Sequence, residues 1–292
     1  MKRQSKGDFA FQIVVYVLVA LLCVIFLYPL IYILSLSFSS PEAVYYGQVT
    51  FFIKDFSLEA YKAIADRMEI FTGLWNTVKM VVLGTILSLI FTFGLAYALT
   101  RKDLKGRRAI TAVCVFTMFF SGGLIPLYVV VQGIGLYNTL WATILPMSVS
   151  VWNVIVVRTF MTSSIPADLE EAAKIDGACD FRIYFSVIIP LCKPVIAIMI
   201  LFYAVGYWNS YFYPLVFISP SNTDLKTLQL VLRDILLSDG SGAVGEDALQ
   251  YKMLAEAVKY SSIVVTTLPI LIVYPFLARH LEKGMMIGSV KG

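Results

Sequence analysis

The chain alternates between long apolar runs and shorter polar connectors. Six apolar blocks stand out, at 9–36, 74–99, 110–131, 140–160, 194–218 and 261–278. An α-helix needs about 20 residues to cross the hydrocarbon of a bilayer, and the blocks lie near or above that length. Inside hydrocarbon every backbone polar group must find its partner within the segment, which a helix achieves alone. A closed barrel would instead show alternating runs of about ten residues. The pattern therefore predicts an all-α integral membrane fold, with six transmembrane helices in a single domain over 1–292. The first block follows Lys2, Arg3 and Lys6. It is longer than the 7–15 residues of a signal-peptide core, so it reads as an uncleaved first span.

The connectors differ in kind. The segment 38–73 is long and amphipathic, and its Ser57-Leu-Glu59 start predicts a short surface helix. The segment 219–260 holds a glycine-bearing stretch, Ser238–Gly245, expected to be flexible, and then a helical pattern from Asp247 to Lys259. The segment 162–193 is rich in charges of both signs.

Composition sharpens this picture. Apolar residues make up 59% of the chain and charged residues 14%, against about 45–50% and about 25% in soluble domains. The net charge is only +4, and its placement is what informs. Lys and Arg number three before the first block, five in the connector at 100–109, four around 158–193 and three after the last block, fifteen in all. The opposite side carries eight: Lys54, Lys62, Arg67, Lys79, Lys226, Arg233, Lys252 and Lys259. The richer side is expected to be cytoplasmic, with both termini inside and the segments 38–73 and 219–260 outside. The four cysteines have no metal-ligand spacing, so neither a zinc site nor a disulfide framework is expected.

The inner connector carries the densest local signals. Pro166 suits the first turn of a helix. Asp168, Glu170 and Glu171 then lie near the positive end of its dipole. Ala172 and Ala173 favour helix, and Gly177 stands where a C-terminal turn needs a positive φ. Asp180 is placed to cap a second helix, Phe181–Ile189, closed by Pro190 and Pro194. On the residues alone, this is compatible with an amphipathic helix on the membrane face or with a docking surface whose small residues permit close approach.

The run Glu171-Ala172-Ala173-Lys-Ile-Asp176-Gly177-Ala178, followed by Phe185, Ile188, Pro190 and Pro194, resembles the EAA signature of bacterial ABC importer permeases. Ile189 departs from the leucine common there. The match lies between the fourth and fifth of six blocks, as in that family. Trp208-Asn209 with Pro214-Leu215 is similar to a stretch in the fifth span of carbohydrate permeases. The terminus 284–292 is similar to the tail of the maltose-type second permease subunit. Ser121–Tyr128 resembles the oligosaccharide/polysaccharide branch.

The resemblance implies an ABC importer permease fold in a bacterial cytoplasmic membrane. It implies that Glu171, Ala172, Ala173, Asp176 and Gly177 form a coupling helix that docks on an ATPase. It further implies a second, different permease subunit, two ATPase subunits that bind ATP and Mg, an extracytoplasmic sugar-binding protein and an oligosaccharide substrate. In maltose-type relatives the loop equivalent to 219–260 enters the binding protein.

No catalytic residue, metal site or cofactor site is expected in this chain. The glycines at 240–245 lack the Lys-Ser/Thr of a phosphate-binding loop. The single histidine, His280, lies just beyond the last block. The fifth block gathers Tyr203, Tyr207, Trp208, Asn209, Tyr211, Phe212 and Tyr213. Tyr207, Trp208, Asn209 and Tyr211 suit a sugar path, since rings stack on C–H faces and an amide bonds hydroxyls. An interfacial aromatic belt or plain helix packing explains the same rings. Gln132, Asn138 and Asn153 read as inter-helix hydrogen-bonding residues. A secondary transporter or channel subunit is the alternative function. That class places ionisable groups deep in its spans, whereas here only Lys79 and Arg158 fall in the blocks, near their ends.

Overall fold

The computed structural model describes residues 6–238 and 248–288. Lys2 and Arg3, most of the stretch expected at 238–245, Asp247, and the last four residues of the tail lie outside them.

The described chain is helical, with one isolated antiparallel bridge, Ser39 to Phe56. In order the helices are α1 (Lys6–Ser37), α2 (Pro41–Tyr45), α3 (Glu59–Ala65), α4 (Met68–Thr100), α5 (Arg107–Phe119), α6 (Leu124–Gly133), α7 (Leu140–Ile144), α8 (Val151–Ser164), α9 (Ala167–Ile175), α10 (Asp180–Ile183), α11 (Ile189–Leu191), α12 (Lys193–Trp208), α13 (Phe212–Phe217), α14 (Leu228–Leu237) and α15 (Ala248–Gly288). Three stretches are long and apolar enough to cross a membrane unbroken: Phe11–Ser37, Met68–Thr100 and Ala248–Ile272. Three more are bent pairs, so the chain offers up to six spans.

The breaks have local causes. The expected block 110–131 divides into α5 and α6, inclined at 117°, across Phe120-Ser-Gly-Gly123. Gly123 takes φ +85, a left-handed value that only glycine adopts freely. The block 140–160 bends by 49° where Pro146 interrupts the helical ladder, and Ser150 restarts it by accepting from the Asn153 N–H at 3.4 Å. The expected run 194–218 breaks after Trp208, and α13 follows after the three residues Asn209-Ser-Tyr211. Pro214 sits inside α13. It has no N–H for the carbonyl of Ser210, so the ladder stops before that point. In the other direction, the outer helix expected at 247–259 and the last span are one element, α15. Lys259-Tyr-Ser-Ser262 contains no residue that stops a helix.

The chain divides into two compact units. One comprises residues 1–68 and 232–267. Here α1 exposes most of its apolar side chains from Phe9 to Leu30, as a helix solvated by lipid does. The loop after it folds back along it. Ser35 Oγ donates to the Phe51 carbonyl at 2.7 Å and Ser39 Oγ accepts from the Lys54 N–H at 3.0 Å. Phe38 stacks between Phe56 and Tyr61. Ser261 Oγ of α15 donates to the Ser37 carbonyl at 3.1 Å. Burial pushes the Tyr61 phenol above its usual pKa, and its hydrogen bond to Ser37 partly opposes this.

The other unit comprises residues 69–231 and 268–292. Its core joins Met80, Phe93 and Ala96 of α4 to Val154 and Val157 of α8 and to Val195, Met199, Tyr203 and Tyr207 of α12. Two i,i+4 pairs face each other across this core. Tyr203 Oη lies 2.6 Å from Thr92 Oγ1, and Tyr207 Oη lies 3.1 Å from Ser88 Oγ while donating to the Ile144 carbonyl at 3.1 Å. Gly84, one turn before Ser88, lies directly under the Tyr207 ring. At the other end of α4, Asn76 Nδ2 donates to the carbonyls of Asp224 and Lys226 at 2.6 and 3.0 Å, and Thr77 Oγ1 accepts from the Leu228 N–H at 2.8 Å.

Candidate functional site

The inner connector forms a helix, a turn and a second helix. Pro166 is the residue before α9 rather than its first, with extended backbone at ψ 134. Asp168 and Glu170 occupy the first turn. The end of α9 is closed by two bonds that bracket Gly177. The Gly177 N–H donates to the Lys174 carbonyl and the Ala178 N–H to the Ala173 carbonyl, each at 3.0 Å. With φ +78 at Gly177, this is the Schellman closure that the sequence order of small residues favours. A Cβ placed at Gly177 would meet no atom of the chain within 4 Å, so the position faces open space.

The second helix differs from the expected Phe181–Ile189. Asp180 is inside it, Cys179 precedes it, and the helix passes into a wide π-type turn over Tyr184–Ile188 before α11. Pro190 supplies no N–H, so the usual i to i−4 bond is missing there. The pair 180–191 and 193–208 meets at 81°.

Glu171, Ala172, Asp176 and Gly177 are all exposed, while Ala173 is half-buried and packs on the core together with Ala178. Large apolar side chains surround them on the open side. Ile175 is 86% exposed and Phe181 78%, and Leu169 and Phe185 are also exposed. An apolar group of this size on a polar loop marks a contact surface.

Behind that surface stands Arg101, the first residue after α4. Its Nη1 donates to Glu170 Oε2 at 2.6 Å and its Nη2 to Asp180 Oδ1 at 3.0 Å. Its Nε lies 3.5 Å from Asp103 Oδ1, and the guanidinium lies 5.6 Å from the Tyr97 ring centroid. Only 11% of the Arg101 side chain is exposed. Burial disfavours the cation, but Tyr97 and the carboxylates of Glu170, Asp180 and Asp103 outweigh it, so its pKa is raised and its charge secured. In the sequence Arg101 bears only on orientation. Its partners lie 69 and 79 positions away, beyond any local pattern.

The four residues expected in a sugar path do not form one surface. Tyr207 is 1% exposed and its hydroxyl is engaged inside the bundle, so the path expectation for it is replaced by a packing role. Trp208 is also buried. Asn209, which ends α12, and Tyr211 are exposed. Asn138 takes φ 61 and its Oδ1 accepts from the Ser219 N–H and Asn222 Nδ2 at 3.1 and 3.2 Å. It therefore pins a turn to a distant loop rather than joining two spans. Among the described residues no three His, Cys, Asp or Glu side chains gather as metal ligands.

A family model described as "Binding-protein-dependent transport system inner membrane component" matches residues 1–287. Protein LplC of Bacillus subtilis (strain 168) is 42% identical over 267 residues, covering 90% of this chain and 89% of its own. The polygalacturonan/rhamnogalacturonan transport system permease protein YtcP of the same organism is 39% identical over 275 residues, 94% of each chain. The structure is similar to a chain in the crystal structure of a bacterial ABC transporter involved in the import of the acidic polysaccharide alginate. The TM-score is 0.85 at 33% identity, over 96% of this chain and 99% of that one.

Proposed function

Since the chain belongs to the family of binding-protein-dependent transport system inner membrane components, we propose that it forms half of the path of an ATP-driven oligosaccharide importer and couples to an ATPase through α9 and Gly177. It is a membrane permease subunit and not an enzyme; hydrolysis is the chemistry of a separate ATPase. The observation that carries the coupling role is the exposed surface of α9, with Gly177 open to space and Ile175 and Phe181 uncovered. ATP and Mg are bound by two copies of the partner ATPase, and this chain itself needs no cofactor. A second, different permease completes the path. An extracytoplasmic sugar-binding protein delivers the oligosaccharide, with the segment 219–260 as its expected contact. The names of the relatives, a polygalacturonan/rhamnogalacturonan permease and an alginate importer, support a glycan substrate. Asn209 and Tyr211 remain the candidates of this chain for the sugar path.

The 15-to-8 distribution of Lys and Arg supports cytoplasmic termini in the inner membrane of a bacterium. Alternating access then follows: closure of the ATPase pair pulls on the inner connectors and opens the path outward. One crosslink tests both side and partner. With the native cysteines replaced, Ile175→Cys is expected to crosslink to a co-purifying ATPase, and to resist impermeant thiol reagents applied outside intact cells. Labelling from outside, or the absence of any ATPase in the purified complex, rejects the reading.

A further inference from the structure

A segment that docks on an ATPase must pass its displacement to the spans, and the geometry of α9 restricts how. Both α9 and α10 are short, nine and four residues, so neither holds its position by helix stability alone. A cavity of about 480 Å³ lies beside α9, between it and the ends of α4 and α8, lined among others by Tyr97, Thr162, Pro166, Glu171 and Lys174. Ala173 and Ala178 touch the core beyond it, but small apolar contacts carry no direction. The directional link is Arg101, at the rim of this cavity. Among the described residues it alone bonds both α9, through Glu170, and the first residue of α10, Asp180, from a position fixed to the end of α4.

We propose that Arg101 is the positioning residue that transmits movement between the coupling loop and α4, by holding α9 and α10 in one planar fork. The proposal rests on the coupling reading of α9. A guanidinium presents its donors in a rigid plane, so two carboxylates bound to it hold a fixed mutual angle. A lysine ammonium is a point charge on a flexible stem and would hold one partner without fixing the other. The Tyr97 ring beneath the guanidinium adds a second constraint from α4 itself. A push on the exposed face of α9 then turns α10 and the end of α4 together, while the same push on an untethered loop is absorbed by the cavity.

The test uses the assembled transporter in proteoliposomes. Arg101→Gln is expected to keep its ATPase at full stoichiometry, since no exposed residue of α9 is changed. Stimulation of ATP hydrolysis by loaded binding protein, and sugar uptake, should both fall by about 5- to 150-fold, the range of coupling between linked sites. Arg101→Lys should fall between the two. Glu170→Gln with Asp180→Asn leaves the arginine in place and should reproduce the loss, and it decides the matter if Arg101→Gln fails to assemble. Normal stimulation and uptake in Arg101→Gln, or in the double variant, overturns the proposal. So does loss of the ATPase from the double variant, which would make the pair a docking contact. Gly177→Asp in the same preparation separates the two ideas. If it is impaired while Arg101→Gln is normal, only the transmission role fails; if it too is silent, the coupling reading falls.

Discussion

Alanine at position 84 is expected to unseat Tyr207 and to destabilise the helix bundle more than any other single methyl added to the described glycines. A Cβ there would lie 2.5 to 2.7 Å from three atoms of the Tyr207 ring, well inside contact distance. The ring is packed against the buried core and cannot slide away cheaply. If it moves, its hydroxyl leaves the Ile144 carbonyl and Ser88. Overpacking of a filled core costs about 1–3 kcal/mol, and a buried polar group left unpaired adds about 1–3 kcal/mol. Close approach through a small residue is a common device where helices meet in a membrane. The thermal transition of the purified chain reads the effect. Gly84→Ala should lower it clearly, and Tyr207→Ala should lower it too, by leaving a cavity. The double variant should lose much less than the two losses added together, because each change relieves the other. Additive losses would place the strain of Gly84→Ala somewhere other than Tyr207.

Gly177→Asp is expected to break transport while leaving the chain folded. Nothing in the chain lies within 4 Å of a new Cβ, so no internal clash arises. The left-handed backbone at φ +78 adds a penalty of about 1 kcal/mol, a conformation that aspartate accepts better than most residues. The damage falls instead on whatever docks there. A charged side chain thrust into a close-packed contact typically weakens it by about 2 kcal/mol or more, roughly thirtyfold in affinity. The ATPase retained on the purified complex, measured beside sugar uptake, should show the loss in both. Asn209→Ala and Tyr211→Ala provide the contrast. They should retain the ATPase and change uptake alone, because both lie beyond α12 and away from the loop.

Hydrophobic pattern carried the location of most helices, and local chemistry carried their ends. The expected block 9–36 falls within α1, which runs on through Pro29, and 74–99 falls within α4, which holds no proline. Hydropathy alone smoothed over the breaks at Ser121-Gly122-Gly123, Pro146 and Asn209. Each has a punctuating residue at or near it that the sequence displays, but apolar neighbours on both sides hide its effect in a continuous run. The turn at Gly177 was legible because the whole device is local: acids early, alanines in the middle, glycine at the end. The Arg101 clamp was not, since it depends on two carboxylates brought from far along the chain. Tyr207 shows a third case. Its residue type suits a sugar or a core equally, and only the facing pairs Ser88/Thr92 and Tyr203/Tyr207, each one turn apart, decide for the core.

The most direct measurement is ATP hydrolysis and oligosaccharide uptake by proteoliposomes holding this chain with its partner permease and ATPase. Both are followed with empty binding protein and with binding protein loaded from a panel of neutral and acidic oligosaccharides. The account predicts that one loaded form stimulates hydrolysis and fills the vesicles with sugar, and that both effects vanish without ATP. Uptake that persists without ATP and follows an imposed ion gradient would contradict it, and would make the chain a secondary transporter.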